Sequence, residues 1–209
     1  MSERSFYLPE ARAGVRAAIE AIESQTCAEI VVTVRRVSGD YRGADYLCAS
    51  LVALATLVAL LFTEHEFSVL WMPVDVAVAR AIGALASAKI AACRRLFAGR
   101  ARMARAVRSG ARAAFVDLGV SRTRARSGIL VYVAMLERRV ELVADVGVDV
   151  SKLGAPYEKA VATLDASVRG GSGVDAFLAS LRDLGPLLAP SLPRADDDVN
   201  ELPDEVHIP

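Results

Sequence analysis

The chain has 209 residues, which is room for one compact domain with one insertion and excludes two full catalytic domains. Lys plus Arg and Asp plus Glu number 25 each, so the net charge is zero, which argues against a nucleic-acid-binding protein. Hydrophobic residues make up 54% of the chain and its mean hydropathy is +0.35, which favours a membrane-inserted segment over an ordinary soluble domain.

Residues 1–43 predict one helix and one strand, the first part of an α/β domain. No apolar segment lies within the first ten positions, so we expect no cleavable signal peptide and a start in the cytosol. Pro9 suits a first helical turn, and apolar residues recur behind it at three-to-four spacing, which predicts a helix over 9–25. Residues 28–37 are short, β-branched and apolar, as in a strand buried on both faces.

Two apolar stretches in residues 44–93 predict an antiparallel helical hairpin that crosses a membrane. Residues 46–62 carry no charge and are at the short end of what spans a hydrocarbon core of about 30 Å. Residues 67–93 are longer, but they include Arg80, which would cost roughly 2.5 to 3.5 kcal/mol near the bilayer centre. A helical hairpin buried inside a soluble protein is therefore the alternative.

Arginines flank the predicted hairpin on both sides, whereas its short turn holds Glu64 and Glu66. Because cytoplasmic segments next to a span are enriched in Lys and Arg, we expect an integral protein of the inner, cytoplasmic membrane with both termini in the cytoplasm. Polar groups inside a span usually face other protein segments. Asp75, Arg80 and Lys89 are therefore candidates for contact with a membrane-protein partner, besides the lipid bilayer itself.

Beyond the hairpin, the pattern predicts a basic amphipathic helix and a pair of strands. The helix is expected over 100–118, with Gly119 just past its end as a C-cap. Two strand-like runs at 129–136 and 139–145 are separated by two residues, so they should pair as a β-hairpin.

The second part of the α/β domain is expected to extend over 94–193 and to end with two helices. These helices are predicted over 157–168 and 174–188. An acidic tail follows at 194–209, and we expect it to lie outside the packed core. Cys27, Cys48 and Cys93 lack any CxxC spacing, so the sequence indicates neither a disulfide framework nor a zinc site.

Four segments, in order along the chain, follow the pattern of a known family. They are Ala28, Glu29, Ile30, Val31 and Val32; Thr123, Arg126, Ser127, Gly128, Ile129 and Leu130; Asp145 and Gly147; and the NELPDE segment at 200–205. With these residues the chain resembles the TPM domain family, named for thylakoid acid-phosphatase-like proteins, a photosystem II repair factor and a nematode acetylcholine-receptor modulator. The resemblance is to the bacterial branch that carries an inserted membrane hairpin.

This resemblance implies a three-layer α/β/α sandwich around a small mixed sheet, interrupted here by the two-helix membrane hairpin. It also implies bound calcium in some members and acid phosphatase activity in the plant relative. Most members have no established activity, and members of the hairpin-bearing branch are usually described only as uncharacterised membrane proteins.

Asp145 and Asp149 are the candidate metal ligands. Asp145 ends a predicted strand beside a glycine and Asp149 follows at a spacing of four, so both carboxylates could contribute oxygen atoms to calcium. The resemblance supports Asp145 alone. Since two acids cannot fill about six to eight ligand positions, the alternative is a turn that caps the strand and leaves both carboxylates solvated.

The sequence leaves two functions open. The first is a non-enzymatic accessory or assembly module, held at the cytoplasmic face of the membrane and acting through protein contacts. The alternative is a divalent-cation-dependent, acid-phosphatase-like hydrolase, which would need further ligands from Glu29, Asp40 or Asp117 to converge on Asp145. Arg126 and the RGGSG loop could contact a phosphate, but no catalytic residue can be assigned.

Overall fold

The computed structural model describes residue 6 and residues 8–63, 68–194, 200–203 and 206–208. The chain divides into two compact units. We call the first the α/β unit, which comprises Met1–Ser38 and Ala104–Pro209, and the second the helical unit, which comprises Gly39–Met103. In chain order, the helices used below are α1 (Pro9–Glu23), α2 (Arg42–Phe62), α3 (Met72–Lys89), α4 (Ala91–Ala98), α5 (Arg100–Asp117), α6 (Val150–Gly170), α7 (Val174–Arg182) and α8 (Leu184–Leu188).

A three-stranded mixed sheet lies at the centre of the described part of the α/β unit. Strand β1 (Glu29–Arg35) pairs parallel with β2 (Gly128–Ala134), and β2 pairs antiparallel with β3 (Arg139–Ala144). The order is β1-β2-β3, so β1 is an edge strand. The side chains of β2 are buried throughout, and those of β1 are buried up to Val34, which explains their continuous apolar sequences. The chain is therefore a mixed α/β protein, and the predicted β-hairpin is confirmed.

Alternate residues of the strands belong to two separate apolar clusters. Ile30, Val32 and Val34 pack in the larger cluster, to which α1, α6, α7 and α8 contribute side chains. Val31 and the next strand's Tyr132 pack in the smaller cluster, which contains the apolar stripe of α5. This division follows from the period of two along a strand.

The predicted helices are present, with corrections at their ends, and the single helix predicted over 174–188 is instead divided at Asp183 into α7 and α8. Helix α1 begins at Pro9 as expected, and Gly119, which follows α5, has the left-handed φ of 67° that suits a C-cap. Helix α6 begins earlier than predicted, at Val150, because a first helical turn precedes a kink at Gly154, where φ is 57°. The apolar stretch that predicted one helix over 67–93 instead forms α3 and α4, which meet at an angle of 97°.

The prediction that the tail lies outside the packed core is wrong for its described part. Val206 and Ile208 are partly buried against the larger apolar cluster, and His207 between them pairs with Thr33 of β1. Leu202 packs against the smaller cluster. The tail is held in place because its apolar residues alternate and can follow the edge of a strand. Residues 195–199, 204, 205 and 209 lie outside the described residues.

Within the helical unit, α2 and α3 lie side by side in opposite directions. A Cβ atom at Gly83 would stand only 3.0 Å from the Cα of Ala49 and 3.0 Å from the Cβ of Val52, so the two backbones approach closely. One turn further along α3, Ser87 Oγ donates a hydrogen bond of 2.8 Å to Asp45 Oδ1 near the start of α2. Gly83 and Ser87 thus form the small-residue spacing that permits close helix packing.

Candidate functional site: the motif turn of the α/β unit

A tight turn before β2 contains the threonine, arginine and serine of the sequence motif. The Arg126 N–H donates to the Thr123 carbonyl oxygen at 3.1 Å, and the Ser127 N–H donates to the Thr123 hydroxyl at 3.1 Å. Arg126 has a left-handed φ of 54°, and the Thr123 and Ser127 side chains are buried. The threonine therefore closes the turn by accepting hydrogen bonds from the residues that follow it.

Two motif glycines allow backbone segments to cross at this turn. A Cβ at Gly128 would lie 2.2 Å from the Val120 carbonyl oxygen. A Cβ at Gly147 would lie 2.3 Å from the carbonyl oxygen of Ala125 and 2.6 Å from that of Arg126. Both contacts are with backbone atoms and leave no room for a side chain, so these positions require glycine for close approach.

Asp145 lies at the end of β3, directly beside the turn. Its backbone N–H donates to the Gly128 carbonyl oxygen at 2.9 Å, and its Oδ1 accepts the Val146 N–H at 2.8 Å. Its Oδ2 is buried and lies 2.9 Å from Arg126 Nε, an ionic contact without hydrogen-bond alignment. The side chain of Asp145 is 3% exposed, whereas that of Arg126 is 51% exposed. The carboxylate thus faces the protein and the guanidinium reaches the surface.

Asp149, the second candidate ligand, is the N-cap of α6. Its Oδ1 accepts the Ser151 N–H at 3.2 Å and also the Ser151 hydroxyl, and its Oδ2 lies 3.2 Å from Lys152 Nζ. Hydrogen bonds from Ser151 and then from Lys152 lower the pKa of the Asp149 carboxyl below its ordinary value. Asp149 therefore caps the N-terminus of α6. An aspartate just before a helix is a sequence signal that could have predicted this cap.

The three residues that could supply further ligands for a hydrolase have different surroundings. Glu29, at the start of β1, is buried, and its carboxylate accepts the backbone N–H groups of Glu201 and Leu202. Asp117 is exposed at the end of α5, and Asp40 belongs to the helical unit, where it accepts the Arg42 N–H at 2.9 Å. Across the described ranges, no group of three or more His, Cys, Asp or Glu residues is arranged to hold a metal ion.

Five charged residues of the helical unit differ in their contacts. Asp45 forms a bidentate ion pair with Arg94, at 2.6 and 3.1 Å, and this pair links the start of α2 to α4. Asp75, Arg80 and Lys89 are exposed on α3, and none of them forms an ion pair with another residue in the described part of the chain. The sequence does not predict the Asp45–Arg94 pair, because it depends on the bend between α3 and α4.

Helix α2 is long and apolar enough to cross a membrane, judged by length and composition. Its apolar window is 17% buried within the protein. The bent pair α3 and α4 passes the same test when taken together as one interrupted span.

The fold and the motif turn define a mixed α/β protein that carries an additional helical unit. No family model matches the sequence, and no curated protein matches it. Among solved structures, the chain is similar to the BA42 protein of the psychrophilic bacterium Bizionia argentinensis, determined by NMR. The two share 15% identity, with 97% of this chain and 94% of that chain covered and a TM-score of 0.57. At this identity the similarity shows the fold alone.

The sequence gives no sign of the contacts that Glu29 makes. Its residue type suggests a metal ligand, but its carboxylate binds the backbone of the tail. Backbone N–H groups occur at every non-proline residue and leave no signature in the sequence. The alternation of Val206 and Ile208 is the available signal that the tail can add to a sheet edge.

Proposed function

We propose that this chain is an integral membrane protein whose helical unit anchors a TPM-like α/β unit at the cytoplasmic face of the membrane. The α/β unit would act there as an accessory or assembly module through protein contacts. The observation that carries this proposal is the apolar surface of the helical unit. Leu54, Ile82 and Leu85 are 56%, 58% and 61% exposed, and they belong to a larger set of exposed hydrophobic residues on α2 and α3. An apolar surface of this extent requires a nonpolar surrounding.

The dimensions of the helices fit a bilayer. With a rise of about 1.5 Å per residue, the 21 residues of α2 extend over about 31 Å, close to the hydrocarbon thickness of about 30 Å. Tyr46 near the start of α2 and Trp71 before α3 are both exposed, and aromatic residues prefer the membrane interfaces. Phe62 and Leu70, which border the connection between the helices, are each 82% exposed.

The arginines support a cytoplasmic location for the α/β unit. Arg42 precedes the apolar part of α2, and Arg94 and Arg95 follow α3 on α4. Since α2 and α3 run in opposite directions, these arginines belong to the same end of the pair, where the chain enters α2 and leaves α3. The 97° angle at which α4 leaves α3 would direct α4 along the membrane surface.

The motif geometry supports the TPM resemblance. Thr123, Gly128 and Gly147 each have a structural reason to be the residue they are, and Asp145 joins the two motif segments. Alternate residues of β1 pack in two different apolar clusters. This division fits the three-layer α/β/α arrangement that the family implies. The helical unit then corresponds to the membrane hairpin inserted after the first strand.

A partner within the membrane would account for the charges on α3. Arg80 lies near the middle of α3, is exposed and lacks an ion pair within the described residues. An unpaired arginine at this depth is costly unless it faces a polar group. We propose that a helix of a partner protein with an acidic or polar residue contacts Arg80, with Asp75 and Lys89 nearer the ends of the same surface.

The alternative function, a divalent-cation-dependent phosphatase using calcium, has one observation in its favour. Asp145 Oδ2 is buried and accepts no hydrogen bond from any residue that the structure describes. Calcium at this oxygen would have to replace the Arg126 contact and recruit further ligands, whereas Asp149 caps a helix and Glu29 binds the tail. Calorimetric titration of calcium into the detergent-purified protein and its Asp145→Ala variant, with phosphomonoester hydrolysis assayed on both, tests this alternative.

Membrane insertion is tested by alkaline carbonate extraction of cell membranes. We expect the wild-type protein to stay in the pellet. Each of Leu54→Asp and Ile82→Asp should raise the free energy of insertion by about 3 kcal/mol, so the double variant should move to the soluble or degraded fraction. Val116→Asp, at a residue of α5 that is 67% exposed in the α/β unit, is the matched control and should stay in the pellet. Release of the wild-type protein by carbonate would overturn the proposal.

A further inference from the structure

The outer edge of β1 is occupied by the end of the chain. The Val34 N–H donates to the His207 carbonyl oxygen at 3.0 Å, and the His207 N–H donates to the Val32 carbonyl oxygen at 3.0 Å. The Thr33 hydroxyl donates to the same His207 carbonyl oxygen at 3.0 Å. These are the hydrogen bonds of a parallel strand added to a sheet edge, whose backbone groups would otherwise lack partners in the sheet.

Apolar side chains of the tail pack against both apolar clusters of the α/β unit. Val206 and Ile208 contact the larger apolar cluster, which contains Val32 and Val34. Leu202, earlier in the tail, packs against the smaller cluster. The edge of β1 therefore provides apolar surface for alternate residues of an extended peptide, in addition to backbone hydrogen bonds.

Two charged residues of the α/β unit, Glu29 and Arg124, form hydrogen bonds with an earlier part of the tail, Glu201 and Leu202. The Glu29 residue is 6% exposed, and its two carboxylate oxygens accept the N–H groups of Glu201 at 3.3 Å and Leu202 at 3.2 Å. The Arg124 backbone N–H in turn donates to the Glu201 carboxylate at 2.9 Å. The Leu202 N–H also donates to Asn200 Oδ1 at 3.2 Å, so the tail turns at this point, and the buried carboxylate holds that turn through two charge-assisted hydrogen bonds.

We propose that the β1 edge, together with Glu29 and Arg124, is a binding site for a peptide that turns at Glu29 and pairs with the edge of β1, and that a second copy of this chain supplies the same tail segment in trans. The ligand pattern is a carboxylate followed at once by an apolar residue, with two further apolar residues four and six positions after that one. The chain's own tail is the resident ligand in cis, so binding in trans exchanges one tail for another. This inference does not rest on membrane anchoring.

A peptide-binding experiment tests the site directly. The probe is a synthetic peptide of residues 198–209, titrated by calorimetry into a chain that ends at Arg194, in detergent. We expect one-to-one binding, at least tenfold weaker binding to the full chain because its own tail competes, and about tenfold weaker binding when the shortened chain carries Glu29→Gln. A peptide carrying Val206→Ser and Ile208→Ser is the matched control and should not bind. A folded shortened chain that ignores the wild-type peptide would overturn the proposal.

A cross-linking experiment on the full chain keeps the proposal falsifiable if the shortened chain does not fold. In a background without native cysteines, Thr33→Cys on one tagged copy and His207→Cys on another should form a disulfide-linked heterodimer after mixing and oxidation. The same two substitutions in one chain should form an internal disulfide, since paired strands lie about 5 Å apart. An internal disulfide without any heterodimer, or equal cross-linking of Thr33→Cys to a control Ser191→Cys copy, would overturn exchange between copies.

Discussion

Gly147→Ala should destabilise the α/β unit by about 2–4 kcal/mol. The added methyl carbon would stand 2.3 Å and 2.6 Å from two backbone carbonyl oxygens, those of Ala125 and Arg126. Overpacking against a fixed backbone costs roughly 1–3 kcal/mol. The shift that relieves it would also break the hydrogen bond of 2.9 Å from the Gly147 N–H to the Arg126 carbonyl oxygen, worth about 0.5–1.5 kcal/mol.

The loss can be measured by urea-dependent pulse proteolysis of the purified protein in detergent, which reports the fraction of the α/β unit that is unfolded. Gly170→Ala is the matched control. A Cβ at Gly170, the last residue of α6, would lie 3.3 Å from the flexible Ser172 side chain, and alanine favours the helix. We expect a change of less than about 1 kcal/mol for the control. A stability of Gly147→Ala within about 0.5 kcal/mol of the wild type would refute the argument that the motif glycine is required by a backbone crossing.

Three further predictions follow from other parts of the molecule. Gly83→Leu should push α2 away from α3, so maleimide should label the buried Cys48 faster than in the wild type. The hydrogen bonds that lower the pKa of Asp149 stabilise the protein above its ordinary pKa of about 3.9 and are lost as the pH falls through the folded-state value, so the stability difference between wild type and Asp149→Ala should shrink in acid. Burial raises the pKa of the Tyr132 phenol, so the neutral phenol stabilises the folded protein below the ordinary tyrosine pKa of about 10, and this stabilisation is lost as the pH rises above that value. The free energy of unfolding of Tyr132→Phe should therefore fall less steeply in alkali than that of the wild type.

Periodicity in the sequence is enough to predict the elements that surround the sheet. The apolar spacing of α1, the β-branched run of β1 and the glycine after α5 each reflect a local rule that tertiary contacts reinforce. The motif turn can be located as well, because Thr123, Gly128 and Gly147 are constrained by contacts with nearby backbone. The prediction of Asp145 and Asp149 as metal ligands stays a prediction.

Other features could not be predicted because they depend on partners distant in the sequence. The bend at Ile90 contains neither proline nor glycine, so the sequence does not predict it. The Asp45–Arg94 ion pair depends on that bend. The aspartates of the tail indicate a solvated segment, but the two apolar residues beside His207 determine where it packs. Charge composition describes the tail as a whole and does not reveal the short apolar segment that packs against the α/β unit.

Membrane topology is the most direct test of the central claim that the helical unit spans the membrane with the α/β unit in the cytoplasm. Single cysteines at Ser68, between α2 and α3, and at Ser172, between α6 and α7, are introduced into a chain without native cysteines; both positions are exposed. Intact cells, or spheroplasts where an outer membrane is present, are treated with a membrane-impermeant maleimide. We predict labelling of Ser68→Cys before permeabilisation and of Ser172→Cys only afterwards. Protection of both positions, or labelling of both, would contradict the account.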